Sequence, residues 1–187
     1  LGDKAKIKKI TFIGNKIYKD RKLRNIIVSE EYKFWKFISG KKFLNSDLIN
    51  LDKRLLKNFY LNQGFYDVKI NSSFARIMAD NTFELIFNIE ANNKFYFGDL
   101  EISLPNDFQP ENYNEINALF KKLKGEPYSI NSVEKIINKI DLITTNEEFK
   151  TINAFVEEKI IDKNVIKLDF IIEETEKFFV ERINIFG

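Results

Sequence analysis

Cysteine and histidine are both absent from the 187 residues. Without cysteine there is no disulfide, no thiolate nucleophile and no sulfur-bound metal site, although either redox compartment stays open. Without histidine, the side chain best suited to proton transfer near neutral pH is missing, and only carboxylates, Lys, Tyr, Ser and Thr are left for chemistry. Glycine is scarce, seven in all and scattered, so no Gly-rich phosphate loop exists. Charge of one sign is lacking as well: 30 basic and 28 acidic residues are interspersed and leave a net +2, which attracts nucleic acid or anionic lipid only weakly. The basic stretches "KKLK" (121–124) and "GKKF" (40–43) read as solvated surface. No apolar run approaches the ~20 residues of a membrane-spanning helix. The carboxylates Glu30–Glu31 and the run "IEETE" (172–176) lack the Gly-rich turn or Asp-x-Asp-x-Asp spacing of a hard-metal site, and also read as surface. An enzyme, a metal and a cofactor are all unexpected.

What is present is material for packing. Apolar residues make up 44% and charged residues 31%, suited to one medium domain or two small ones. The chain starts at Leu1 without a basic and apolar leader and ends at "RINIFG" in a strand-like pattern. The expectation is a piece excised from a longer polypeptide, with any signal peptide absent or removed.

Laid on itself, the chain repeats. "IKKITFIGN" (7–15), "FGDLEISLP" (97–105) and "VERINIFG" (180–187) each alternate polar and apolar residues like half-buried strands. In the first unit Asp20 is placed to cap a helix carrying Leu23, Ile26 and Ile27. A second helix begins near Asn45, with Leu48, Leu51, Leu55 and Phe59 as its apolar stripe. Gly64 stops it as a left-handed C′ residue. Two strands follow: "YDVKINSSF", with Val68, Ile70, Ser72 and Phe74 on one face and Asp67, Lys69, Asn71 and Ser73 on the other, and "TFELIFNIE", with Phe83, Leu85, Phe87 and Ile89 toward the core. The second unit repeats the order. One helix ends at Gly125, and another after Ser129 carries Val133, Ile136, Ile137, Ile140 and Ile143. Two strands then flank the turn "IDKN". Here Asn146 stands in for the missing glycine before the second strand. The fold class expected is α+β: two tandem β-α-α-β-β units, each a three-stranded mixed sheet with two helices on one face. The units run 1–92 and 93–176, with 177–187 opening a third.

This order, with "ITFIGN" at the first strand, an aromatic pair "FW" (34–35) in a long inter-helix loop, "FLNSDLINLDKRLLKNFYLNQGFYDVKI" and "NKFYFGDLEIS" at the junction, resembles the POTRA domains of the BamA family, most closely the third and fourth of five. A TamA-like POTRA region is the alternative within that resemblance. It implies a periplasmic module ahead of a C-terminal membrane β-barrel. The implied partners are unfolded outer-membrane protein precursors, accessory outer-membrane lipoproteins and neighbouring POTRA domains.

The candidate sites follow. A small sheet exposes edge strands whose unpaired N–H and C=O groups accept an added strand. The expected edge is Asp67, Val68, Lys69, Ile70, Asn71, Ser72, Ser73 and Phe74, with 150–157 a second candidate. Trp35 and Phe37 either cap the small core or contact a partner. Phe95, Tyr96, Phe178 and Phe179 stand at joints between units. Gly14, Asn15 and Gly64 are structural turn residues. A nucleic-acid-binding module is the reading from another class, since aromatic-rich sheets stack bases. Against it, the alternation turns Phe83, Leu85 and Phe87 toward the helices, and near-zero net charge leaves phosphate little attraction, so no nucleic-acid partner is expected.

Overall fold

Alternation in the sequence becomes two small sheets, each with its middle strand drawn from the end of its unit. The computed structural model describes residues 5–15, 17–33, 43–78, 82–146 and 151–175. The first sheet holds β1 (Lys6–Asn15), β2 (Lys69–Met78) and β3 (Thr82–Glu90) in the order β1-β3-β2; β3 runs parallel to β1 and antiparallel to β2. The second holds β4 (Tyr96–Ser103), β5 (Thr151–Asp162) and β6 (Val165–Thr175) in the matching order β4-β6-β5. The helices are α1 (Asp20–Arg24) and α2 (Ser46–Leu61) in the first unit. In the second, a 3-10 turn (Pro110–Tyr113) leads into α3 (Asn114–Leu123), and α4 (Ile130–Asn146) follows. Contacts divide the chain between Phe95 and Tyr96, and Tyr128–Ile130 group with the first unit.

Each middle strand turns its apolar face inward. Leu85, Phe87 and Ile89 of β3 are fully buried, and Phe87 stacks on Phe12 of β1 at 5.7 Å between centroids. Ile166, Leu168, Phe170 and Ile172 of β6 are buried likewise, with Phe170 stacked on Phe120 of α3 at 5.4 Å. Val133, Ile136 and Ile140 of α4 are buried as their spacing predicts.

The first strand of each unit carries a one-residue bulge that strict alternation does not anticipate. Ile7 pairs with Phe83 but Lys9 with Glu84, so Lys8 is extra. In β4, Phe97 pairs with Ile166 and Leu100 with Leu168, again one residue too many. The buried residues are therefore three apart, Ile7 to Ile10 and Phe97 to Leu100.

Three local expectations are corrected. Asp20 opens α1 instead of capping it: Lys19 holds the cap position, and Ile26 and Ile27 lie beyond the helix end. The helix is short because the Val28 and Ser29 N–H groups, which would continue it, donate to the Asp52 carboxylate. On α2, Asn45 does cap, accepting from Asp47 and Leu48 N–H. The buried line there is Asp52, Leu56 and Tyr60, one residue on from the half-buried Leu48, Leu51, Leu55 and Phe59. A buried carboxylate rotates the face, which an apolar-only pattern misses. Asn146 remains the last helical residue of α4; among the described residues, the non-glycine with a left-handed φ is Asn92, at +54°.

Candidate functional site

The expected edge strand is one of two edges in its sheet, and the two are built differently. β1 is occupied along its outer side. Tyr32 N–H donates to the Ile7 carbonyl at 2.6 Å and Leu44 N–H to the Ala5 carbonyl at 2.9 Å. Glu31 Oε1 accepts the Ile10 N–H at 2.9 Å, while the Arg24 guanidinium donates both to the Ile10 carbonyl and to Glu31. Glu31, read from sequence as solvated surface, is thus part of a strap over β1. On β2, by contrast, Lys69 to Ser73 make no hydrogen bond outside their ladder with β3, among the described residues. Their register is Lys69↔Glu90, Ile70↔Ile89, Asn71↔Asn88, Ser72↔Phe87 and Ser73↔Ile86.

Of the eight residues named for this edge, Asp67 and Val68 precede the strand. Val68 is buried and its N–H turns back to the Phe65 carbonyl; the Asp67 carbonyl accepts from Asn92 Nδ2 at 3.2 Å. Lys69, Asn71 and Ser73 are exposed while Ile70 and Ser72 are half-buried, and Phe74 continues the ladder opposite Leu85.

Gly64 sets where this strand starts. Its φ is +93°, a region nearly closed to other residues. Phe65 N–H reaches back to the Tyr60 carbonyl (3.1 Å) and Gly64 N–H to the Leu61 carbonyl (3.2 Å), the bond pair of a Schellman motif with Gly64 at C′. The Gly64 carbonyl then accepts Phe95 N–H at 2.7 Å. One glycine therefore ends α2, launches β2 and holds the last residue of the unit. Phe95 is buried against Tyr66, with ring centroids 5.6 Å apart, and Tyr96 is half exposed. Gly14 and Asn15 are not a turn after β1 but its last two paired residues, opposite Ile89 and Glu90. Gly14 is required there, since φ is +88° and a Cβ would lie 2.5 Å from the Ile89 carbonyl oxygen. Trp35, Phe37, Phe178 and Phe179 lie outside the described residues.

An open groove of ≈ 470 Å³ runs between α2 and β2, floored by Val68 and Ile70 and walled by Asn50, Lys53, Arg54 and Lys57. It meets a second, of ≈ 360 Å³, at Asn50, continuing past Ser72 to the start of α2. The free edge of β2 thus borders an amphipathic channel, the arrangement that seats an extended peptide. Sequence reasoning passed over these helix cations. The available signal was a basic stripe, Lys53, Arg54 and Lys57, with no acid three or four residues away on the helix. In the second unit β5 is an edge of its sheet, but it ends in a tip where Ile160 and Ile161 are exposed.

The family model for POTRA, described as a surface antigen variable number repeat, matches residues 5–92. The outer membrane protein assembly factor BamA of Neorickettsia risticii is 25% identical over 97% of this chain, and that of Buchnera aphidicola 23% identical over 100%. By these matches the chain is similar to BamA assembly factors, and its first unit to POTRA domains. It spans only 24% and 30% of the length of those two relatives. Among solved structures, the third to fifth POTRA domains of Haemophilus influenzae BamA superpose with a TM-score of 0.68 at 15% identity, covering 91% of this chain and 66% of that one. Both units have the POTRA fold, so the second has it beyond the residues the family model matches.

Proposed function

We propose that this POTRA segment is a polypeptide-interaction module of an outer-membrane β-barrel assembly factor, standing on the periplasmic side of the membrane. Residues 1–92 and 93–176 are its two domains, and 177–187 begin the next. In the full-length protein it precedes a membrane barrel and works alongside accessory lipoproteins. It takes an extended segment of an unfolded barrel precursor onto β2 by strand addition. Main-chain hydrogen bonds supply the affinity, so many client sequences are tolerated.

The observation that carries this reading is the asymmetry of the first sheet. The chain's own groups close the β1 edge, whereas Lys69–Ser73 have no outer-side partner among the described residues and lie beside a groove. An edge left open in a sheet whose other edge is strapped shut is available for pairing.

The test is an NMR titration of the isotope-labelled chain with a peptide copied from a barrel strand, alongside its N-methylated counterpart. Strand addition predicts amide shifts concentrated at Lys69–Ser73 that disappear when the peptide N–H donors are methylated. Equal binding by both peptides, or shifts confined elsewhere, would remove the proposal.

A further inference from the structure

The groove beside β2 has a charge the edge itself lacks. Lys53, Arg54 and Lys57 line its helical wall, and none of the three side chains makes an ion pair or hydrogen bond among the described residues. Some cations of this chain are matched, as Lys9 is to Glu84, Arg24 to Glu31, Lys124 to Asp99, Lys139 to Glu115, and Lys167 to Glu101 and Asp169, and others such as Lys8, Lys121 and Lys135 are not, among the described residues; what sets Lys53, Arg54 and Lys57 apart is that they line one groove together. Asp67, the acid nearest the groove floor in sequence, forms no pair with the groove cations either. Among the described residues, nothing matches the positive wall.

From this we infer that the β2 site selects extended segments carrying glutamate at alternate positions on the side that faces α2. The inference rests on the strand-addition reading above and names the chemistry of its occupant. Same-side residues of a strand stand about 6.6 Å apart along its axis. Lys53 and Lys57, one helical turn apart, stand about 6 Å apart along α2. An added strand lying between β2 and α2 therefore brings two successive inward side chains level with Lys53 and Lys57, with Arg54 between them. The floor beneath is Val68 and Ile70. A glutamate lays its methylenes over that apolar floor, as lysine and arginine stems do on the opposite wall, and delivers its carboxylate to the cation heads. Aspartate is a methylene shorter and reaches less well. The helix from Asn45 to Lys57 is about 18 Å long, room for five or six strand residues and hence for two or three such contacts.

The experiment compares two capped hexapeptides on the full 187-residue chain by amide NMR at low salt. One alternates glutamate with valine and threonine; the other has lysine in place of glutamate. The expected result is that both shift Lys69–Ser73 and that the glutamate peptide binds roughly tenfold tighter, the order that a few partly exposed ion pairs supply. Added salt narrows the gap. In the triple variant Lys53→Gln, Arg54→Gln and Lys57→Gln the gap closes, while the shifts at Lys69–Ser73 persist. Equal affinities in the unmodified chain, or a gap that survives the triple variant, overturn charge selection and leave strand addition standing. Acidic-peptide binding that perturbs only α2 overturns it as plain anion attraction. If neither peptide shifts Lys69–Ser73, strand addition itself fails and this inference falls with it.

Discussion

Asp52 Oδ1 lies 2.6 Å from the backbone nitrogen of Val28, and through that bond a carboxylate in the middle of α2 ends α1. Asp52 is completely buried and also accepts from Ser29 N–H, with both oxygens at 3.3 Å. It takes the Val28 and Ser29 N–H groups that, in a continued helix, would have donated to the Arg24 and Asn25 carbonyls of the preceding turn.

Removing that acceptor leaves buried donors unpaired. Asp52→Leu is expected to destabilise the first unit by about 2–4 kcal/mol, whereas Asp52→Asn, which keeps one acceptor oxygen, costs about half as much. Urea unfolding followed by far-UV circular dichroism measures both. A leucine variant as stable as the parent would show that the N–H groups find other acceptors.

Gly14 and Gly125 separate backbone strain from collision. Both have positive φ, +88° and +84°, but a Cβ at Gly14 would meet Asn88 and the Ile89 backbone while one at Gly125 meets nothing within 4 Å. Alanine at Gly125 is expected to cost about 1 kcal/mol, the conformational penalty alone. Alanine at Gly14 costs several times more, because β1 must move off β3. Denaturant midpoints of the two variants decide it; equal losses would mean that the strand pair yields freely.

The strap over β1 protects Ile10. Glu31→Ala removes the acceptor of its N–H and Arg24→Ala the donor to its carbonyl. The double variant is expected to speed hydrogen exchange at the Ile10 amide by about tenfold or more. It should also raise self-association in sedimentation velocity, since a second edge is then open. Unchanged exchange would place the protection elsewhere.

The outer face of the first sheet carries a pH-dependent contact. A hydrogen bond from Thr11, then the Lys9 ammonium 3.1 Å away, hold the Glu84 carboxyl below its ordinary pKa. The folded value lies under the unfolded one, so this contribution is present above the ordinary glutamate range and is lost as the pH falls through the lowered folded value. Carboxyl carbon NMR of the Thr11→Val variant should show Glu84 titrating at higher pH than in the parent. An unmoved titration would mean that Thr11 does not govern it.

Much of this architecture was legible from residue order alone. Period-two runs located the strands, Asn45 marked the start of α2, and Gly64 its end, because those signals act over a few residues and depend on backbone sterics and local hydrogen bonds. The repeat was legible because both units solve the same packing problem with the same order of elements. Other features depended on groups far apart in sequence. Residue order gives no sign that Asp52 is buried until Val28 and Ser29 are folded against it. Lys8 reads as one more alternating residue until β3 shows it to be a bulge, and Gly14 reads as a turn until Ile89 approaches its α-carbon. The candidate site divides along the same line. Polar and apolar alternation at Lys69–Ser73 marked a strand with one wet face. Only the sheet order, the strap from Arg24 and Glu31, and the placement of Lys53, Arg54 and Lys57 decided that this edge, unlike β1, is open and faces a positive wall. Edge exposure and charge matching are properties of neighbours in space, and tertiary packing alone chooses those neighbours.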